Sequence, residues 1–156
     1  MYQKILVPLD GSKEAEKVVS LIKDEVAPDG TIAMLRVIPP AKTQNLGGHT
    51  ILSTDQEESN RYDAIDYLKE VARQQDFDPE RRLCEAVVAS SVSDCIVDFA
   101  SREGVDLIAM YTHDRNLLVR PIIKSVAREV QRKASTEVRV FGTKELESYT
   151  LATTGD

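Results

Sequence analysis

Apolar runs alternate along the chain with segments whose apolar positions recur every three or four residues. The first run, Gln3 to Leu9, holds β-branched residues and is bounded by Asp10-Gly11-Ser12, which predicts a buried strand followed by a turn. Ser12 suits the N-cap of a helix to about Val26, with Ala15, Val18, Val19 and Ile22 on one face. Ala27-Pro28-Asp29-Gly30 is expected to stop it. Thr31 to Ile38 is the second predicted strand, ended by Pro39-Pro40, neither of which has an N–H for a ladder. Polar, aperiodic sequence from Ala41 to about Gln56, with Gly47-Gly48 at its centre, predicts a loop that includes His49. From Glu57 to about Gln75, Tyr62, Ile65, Leu68, Lys69 and Ala72 set a helical period, the lysine laying its stem along the apolar face.

The alternation continues to the end. Leu83 to Ala89 reads as a third strand, and Ser90-Ser91 or Ser93 caps a helix to about Glu103 that Gly104 closes. Val105 to Met110 is a fourth strand, followed by a loop from Tyr111 to about Val119. Pro121 suits the first turn of a helix running to about Ala134, and Glu137 to Phe141 is a fifth strand. Strands written as continuous apolar runs and separated by helices predict a parallel sheet covered on both faces. In such sheets ligands bind at the carboxyl ends of strands where the order reverses, so the residues after the first and fourth strands matter most. Asp10 stands at the first of these places. A carboxylate there accepts from a ribose hydroxyl or an adenine amine, or binds a metal; as a turn residue it instead caps the following helix.

Composition narrows the function classes. Hydrophobic residues make up 42% of the 156, enough for a real core. The net charge of −6 argues against a bulk nucleic-acid or anionic-membrane binder. The absence of Trp leaves little for a base- or sugar-stacking platform. No apolar run reaches the ~18 residues of a membrane span. Cys84 and Cys95 have no metal spacing and read as small apolar residues. The expected setting is the cytoplasm, with no signal peptide ahead of the first strand. His113 has no second ligand at metal spacing. Neither G-x-S-x-G nor G-x4-G-K-[ST] occurs, so no catalytic residue and no metal site are assigned. The charge is uneven: residues 105–142 hold seven basic and four acidic residues, net +3, which leaves −9 for the remainder. Within that segment Arg120, Lys124, Arg128 and Arg132 recur every four residues on one predicted helix, opposite Ile122, Ile123, Val126, Ala127, Val130 and Ala134. The basic stripe is either a solvated face or a docking surface for an acidic protein or a small anionic ligand.

Several of these features together make residues 2–142 resemble the universal stress protein family. They are ILVPLDGS at 5–12, Arg36-Val37-Ile38 closing the second strand, Asp106-Leu107-Ile108 entering the fourth, Thr112-His113 with Arg115, Ser125-Val126-Ala127, and Glu137-Val138-Arg139-Val140. The resemblance implies a flavodoxin-like, adenine-nucleotide α-hydrolase-like doubly wound α/β fold. Its five-stranded parallel sheet has the order 3-2-1-4-5, with helices on both faces, in a domain over 1–142 and a polar tail over 143–156. It also implies a homodimer paired through the fifth strand, with Val138, Val140 and Phe141 at the interface. Many family members bind ATP through a loop written Gly-x2-Gly-x9-Gly-Ser/Thr. Here Tyr111, Asp114 and Lys124 stand at the three glycine positions, and only Ser125 is kept. Glycines there permit positive φ and a close approach of backbone N–H groups to phosphate. Tyr111 adds bulk, and Asp114 adds a like charge that Lys124 offsets in part. The chain thus resembles the subgroup without an intact ATP loop.

The preferred expectation is a non-enzymatic stress-response regulatory protein acting as a dimer through protein contacts, with no required cofactor. The alternative is an ATP-binding switch or slow ATPase using ATP and Mg²⁺. It would place adenosine on Asp10 and Val37, and the phosphates on Thr112, Arg115, Lys124, Ser125 and Val126. A response-regulator reading fails, since it needs an acidic pair after strand one and an aspartate after strand three, where Ala89-Ser90-Ser91 stands. The tail carries Leu146, Tyr149 and Leu151 and is expected to be a free end or to pack on a dimer partner.

Overall fold

Burial on both faces decides the architecture. In β1 (Tyr2–Pro8), the consecutive side chains of Ile5, Leu6 and Val7 are all fully buried. Neighbouring residues of a strand point to opposite faces, so both faces of β1 must be covered. The computed structural model, which describes residues 1–47, 49–113 and 125–153, shows how. β1 leads into α1 (Lys13–Ile22) and a single 3₁₀ turn, then β2 (Val26–Ile38). A small antiparallel ribbon, β3 (Gln44–Leu46) and β4 (His49–Ile51), precedes α2 (Ser53–Gln74). The order then runs β5 (Arg82–Val88), α3 (Val92–Glu103), β6 (Leu107–Tyr111), α4 (Val126–Lys133), β7 (Glu137–Phe141) and α5 (Thr143–Thr153). The main sheet is five-stranded and parallel, in the order β5-β2-β1-β6-β7. This is the doubly wound 3-2-1-4-5 arrangement expected from the sequence.

The two faces bury different residues of the same strands. On one side Ile5, Val7, Ile32, Met34 and Leu107 meet Val18, Val19 and Ile22 of α1, Leu68 and Val71 of α2, and Leu146 of α5. On the other Leu6, Ala33, Leu35, Ile108 and Met110 meet Ile96 and Phe99 of α3 and Ala127 and Val130 of α4. Local signals set the helix ends. Ser12 caps α1 by accepting from the Ala15 N–H at 3.2 Å, and Gly104 closes α3 in the left-handed region at φ 63°. Among the described residues no helix is long and apolar enough to cross a membrane.

Four expectations are corrected. The segment 27–30 does not stop a helix; it belongs to β2, where the register with β1 jumps from Tyr2↔Val26 to Lys4↔Thr31. That irregularity absorbs Pro28, and Gly30 passes so close to β1 that a β carbon would lie 2.9 Å from the Gln3 carbonyl. The loop after β2 contains the β3–β4 ribbon, and α2 begins at Ser53 rather than Glu57. Glu57 accepts from the Ala41 N–H at 2.9 Å and ties this helix back to the end of β2. α4 begins at Val126, not Pro121, because Ser125 is extended (φ −80°, ψ 140°) and caps it by accepting from the Arg128 N–H. Pro121, Arg120 and Lys124 lie outside the described residues. Of the basic stripe, Arg128 and Arg132 stand on α4. Finally, 143–153 is not a free end. It folds as α5 against α1, with Leu146 buried and the Glu145 carboxylate accepting from the Gly142 N–H at 3.0 Å.

Candidate functional site

β1 leaves the sheet toward α1 on one face, and its neighbour β6 is followed by α4 on the other. The chain therefore parts at their carboxyl ends and leaves a crevice. A cavity of about 610 Å³ fills it. Its walls are Leu35 and Val37 of β2, Ile96 of α3, Met110 of β6, and Val126 and Ala127 of α4. The polar groups at its edge are Asp10, Arg36, Thr112, His113 and Ser125.

The Asp10 carboxylate serves the turn and the cavity at once. Oδ1 accepts from the Ser12 N–H at 2.9 Å and from the Ser12 hydroxyl at 2.6 Å, which fixes the turn into α1. Oδ2 lies 2.9 Å from Nε2 of His113. Burial pushes the Asp10 carboxyl up, but the Ser12 hydroxyl, the Ser12 N–H and His113 outweigh it, so the group sits below its ordinary value. It is an ionised acceptor at neutral pH. His113 packs edge-on against the Tyr111 ring at 4.7 Å, and the Tyr111 hydroxyl lies 3.0 Å from that of Thr143 at the start of α5. The site is thus braced from α1 to α5.

Asp10, Val37, Thr112, Ser125 and Val126 from the sequence reading all line this one cavity. Thr112 is buried, and its N–H donates to the Phe141 carbonyl at 2.9 Å, which pins the end of β6 to β7. Arg115 and Lys124 lie outside the described residues, as does Asp114. Val138, Val140 and Phe141 are half-buried on β7, the last strand of the sheet. Val138 and Val140 lean on the α3–α4 side and Phe141 on the α1 side. Burial pushes the Cys84 and Cys95 thiols up, which keeps them protonated. Among the described residues no three His, Cys, Asp or Glu side chains converge on a metal position.

Sequence reasoning missed the pairing of His113 with Asp10, which are separated by 103 positions. It also missed Arg36. The alternation of β2 held that signal, since Leu35 and Val37 turn to one face and Arg36 therefore to the other. Chemically, an apolar slot with one ionised carboxylate at its edge suits a flat heterocycle carrying hydroxyls. A lone carboxylate is a poor cage for Mg²⁺, which would have to keep waters or take ligand phosphates.

The model of the universal stress protein family matches residues 1–141. A curated relative, universal stress protein MJ0531 of Methanocaldococcus jannaschii, is 28% identical over 144 residues, covering 90% of this chain and 82% of the relative. Among solved structures, the hypothetical protein MJ0577 superposes with a TM-score of 0.68 at 22% identity, covering 91% of this chain and 96% of that one. A universal stress protein in complex with cAMP superposes at 0.67 with 17% identity, covering 91% and 98%. At these identities the structural likeness speaks for the fold.

Proposed function

Because the chain belongs to the universal stress protein family, we propose that it is a non-enzymatic regulatory protein of the cytoplasmic stress response. It acts as a homodimer through protein contacts, and the cavity at the strand ends binds a small adenine-type ligand that adjusts those contacts. The observation that carries this reading is the 610 Å³ cavity itself, apolar in its walls and edged by an Asp10 carboxylate held ionised. In this reading Asp10 accepts from ribose hydroxyls, and Val37 and Met110 of the cavity wall flank the base. A protein of the same fold is known in complex with cAMP, which supports a ligand of this size. Tyr111, Asp114 and Lys124 in place of glycines favour a short phosphate tail over a triphosphate. The dimer would form along β7, an edge strand whose Val138, Val140 and Phe141 stay half-buried. Arg132 on α4 would offer such a dimer a positive point for an acidic partner.

Ser125 favours a second reading, an ATP- and Mg²⁺-binding switch or slow ATPase, because it stands at the cavity as the N-cap of α4. Calorimetric titration with adenosine, AMP and ATP·Mg²⁺, run beside a phosphate-release assay, decides between them. Binding of adenosine or AMP that Asp10→Ala abolishes, with no phosphate release, supports the first reading. Stoichiometric ATP turnover would replace it with the second.

A further inference from the structure

The Asp10 carboxylate meets the main cavity with most of its capacity taken. Oδ1 accepts from both the N–H and the hydroxyl of Ser12, which uses both lone pairs of that oxygen. Oδ2 lies 2.9 Å from Nε2 of His113. Asp10 is ionised and has no proton to give, so Nε2 carries the hydrogen and donates it. His113 itself lines the cavity. A ligand hydroxyl arriving there finds its acceptor already holding an imidazole of the same protein.

The imidazole is not held by Asp10 alone. Its ring stands edge-on to Tyr111, with centroids 4.7 Å apart and planes at 84°. The Tyr111 hydroxyl lies 3.0 Å from that of Thr143, the first residue of α5. α5 lies beyond residues 1–141, the part that matches the family domain. It is fastened at two further points: the Glu145 carboxylate accepts from the Gly142 N–H, and Leu146 is buried against α1. α1 is the helix whose N-cap, Ser12, holds Oδ1. A line of contacts from α5 therefore ends on the one carboxylate oxygen left for a ligand. The last contact in that line opens at little cost, because the His113 and Asp10 side chains are 61% and 53% exposed.

We propose that His113 is an autoinhibitory latch on the cavity: in the ligand-free protein it occupies the Asp10 oxygen that a ligand hydroxyl must take, and α5, acting through Thr143 and Tyr111, holds it there. The inference rests on the reading that a ligand in the main cavity donates a hydroxyl to Asp10. The ligand seats in the fraction of molecules whose His113 is off Asp10, so its apparent affinity is reduced by that fraction. By linkage, a ligand that displaces His113 loosens its tie to α5, and a change that frees the start of α5 tightens the ligand.

The test titrates adenosine into the full chain by calorimetry and follows the His113 imidazole by proton–nitrogen NMR, with His113→Ala identifying the signal. In the wild type the His113 Nε2 signal should move as adenosine saturates. His113→Ala should bind adenosine about fivefold more tightly than wild type, the gain from removing one half-exposed hydrogen bond to a charged group. Thr143 does not line the cavity, yet Thr143→Val should tighten binding about twofold, while Thr143→Ser, which keeps the hydroxyl, should bind as wild type does. Asp10→Ala should not bind, and circular dichroism confirms the fold of each variant. Affinity unchanged or weakened in His113→Ala, with Asp10→Ala still inactive, overturns the latch and leaves the cavity reading standing. So does a His113 signal that adenosine does not move. A gain in His113→Ala that Thr143→Val does not share overturns the part given to α5. Binding by His113→Ala alone, with wild type silent, supports the latch; no binding by any form overturns the latch and the cavity reading together.

Discussion

Leu146 gives a sharp test of the architecture, because it is the anchor by which α5 closes the α1 side of the core. Its side chain is 3% exposed and packs in the cluster that holds Val18, Val19 and Ile22. Leu146→Ala removes three carbons from that contact. At about 0.8 kcal/mol per buried carbon the transfer loss is about 2.4 kcal/mol. A cavity contribution adds to it, but a terminal helix settles more readily than an interior one, so the total should be about 2.5–3 kcal/mol. For a chain of 156 residues each kcal/mol moves the melting temperature by about 2–4 °C, so a drop of about 5–12 °C is expected. Differential scanning calorimetry and urea titration read it, with exposed Glu147→Ala as the control, expected within about 0.5 kcal/mol of wild type. Deleting residues 143–156 bounds the effect, since losing α5 entirely also uncovers Phe141. Leu146→Ala melting within about 0.5 kcal/mol of wild type would refute the docking of α5 on α1.

Other outcomes test the site and its frame. Asp10→Asn keeps the turn acceptor but removes the charge facing His113. Because the folded-state pKa of Asp10 is lowered, the wild type's advantage should be present at pH 7 and fade as pH falls below about 3.9. Half-exposed as the pair is, that advantage should be under about 1 kcal/mol in urea melts at the two pH values. Gly104→Ala should cost about 1 kcal/mol from the φ of 63° alone, since a β carbon there meets nothing within 4 Å; Gly104→Asn should recover part of it. Val140→Lys on β7 should turn a dimer into a monomer in light scattering, and a wild type monomeric at every concentration would contradict the β7 interface.

Much of the fold was legible because parallel strands announce themselves as apolar runs. Gln3 to Leu9 and Glu137 to Phe141 needed no tertiary information, and Ser12 and Gly104 marked helix ends through local chemistry alone. The misses arose where distant contacts overrode local signals. Pro28 and Gly30 look like a stop, yet the β1–β2 pairing accommodates them through its register shift. Thr143 onward has too few apolar positions to show an amphipathic helix, and the docking of Leu146 decides its structure. The site was half legible. Asp10, Val37, Thr112, Ser125 and Val126 line one cavity. His113 and Arg36 did not show, because their neighbours Asp10 and Tyr67 are brought to them only by the pairing of β1 with β6 and the packing of α2 on the sheet. Tyr111, read from the sequence as bulk in a phosphate loop, proves to be a brace between His113 and Thr143.

The central claim is that the strand-end cavity takes a small adenine-type ligand without serving as an ATP-hydrolysing site. The most direct measurement is equilibrium binding of AMP and of ATP·Mg²⁺ to the full chain, followed over hours for released phosphate. The account predicts saturable AMP binding, ATP binding no tighter than AMP, and no phosphate release. ATP bound more tightly than about 10 µM, near −7 kcal/mol, and hydrolysed to completion would contradict it.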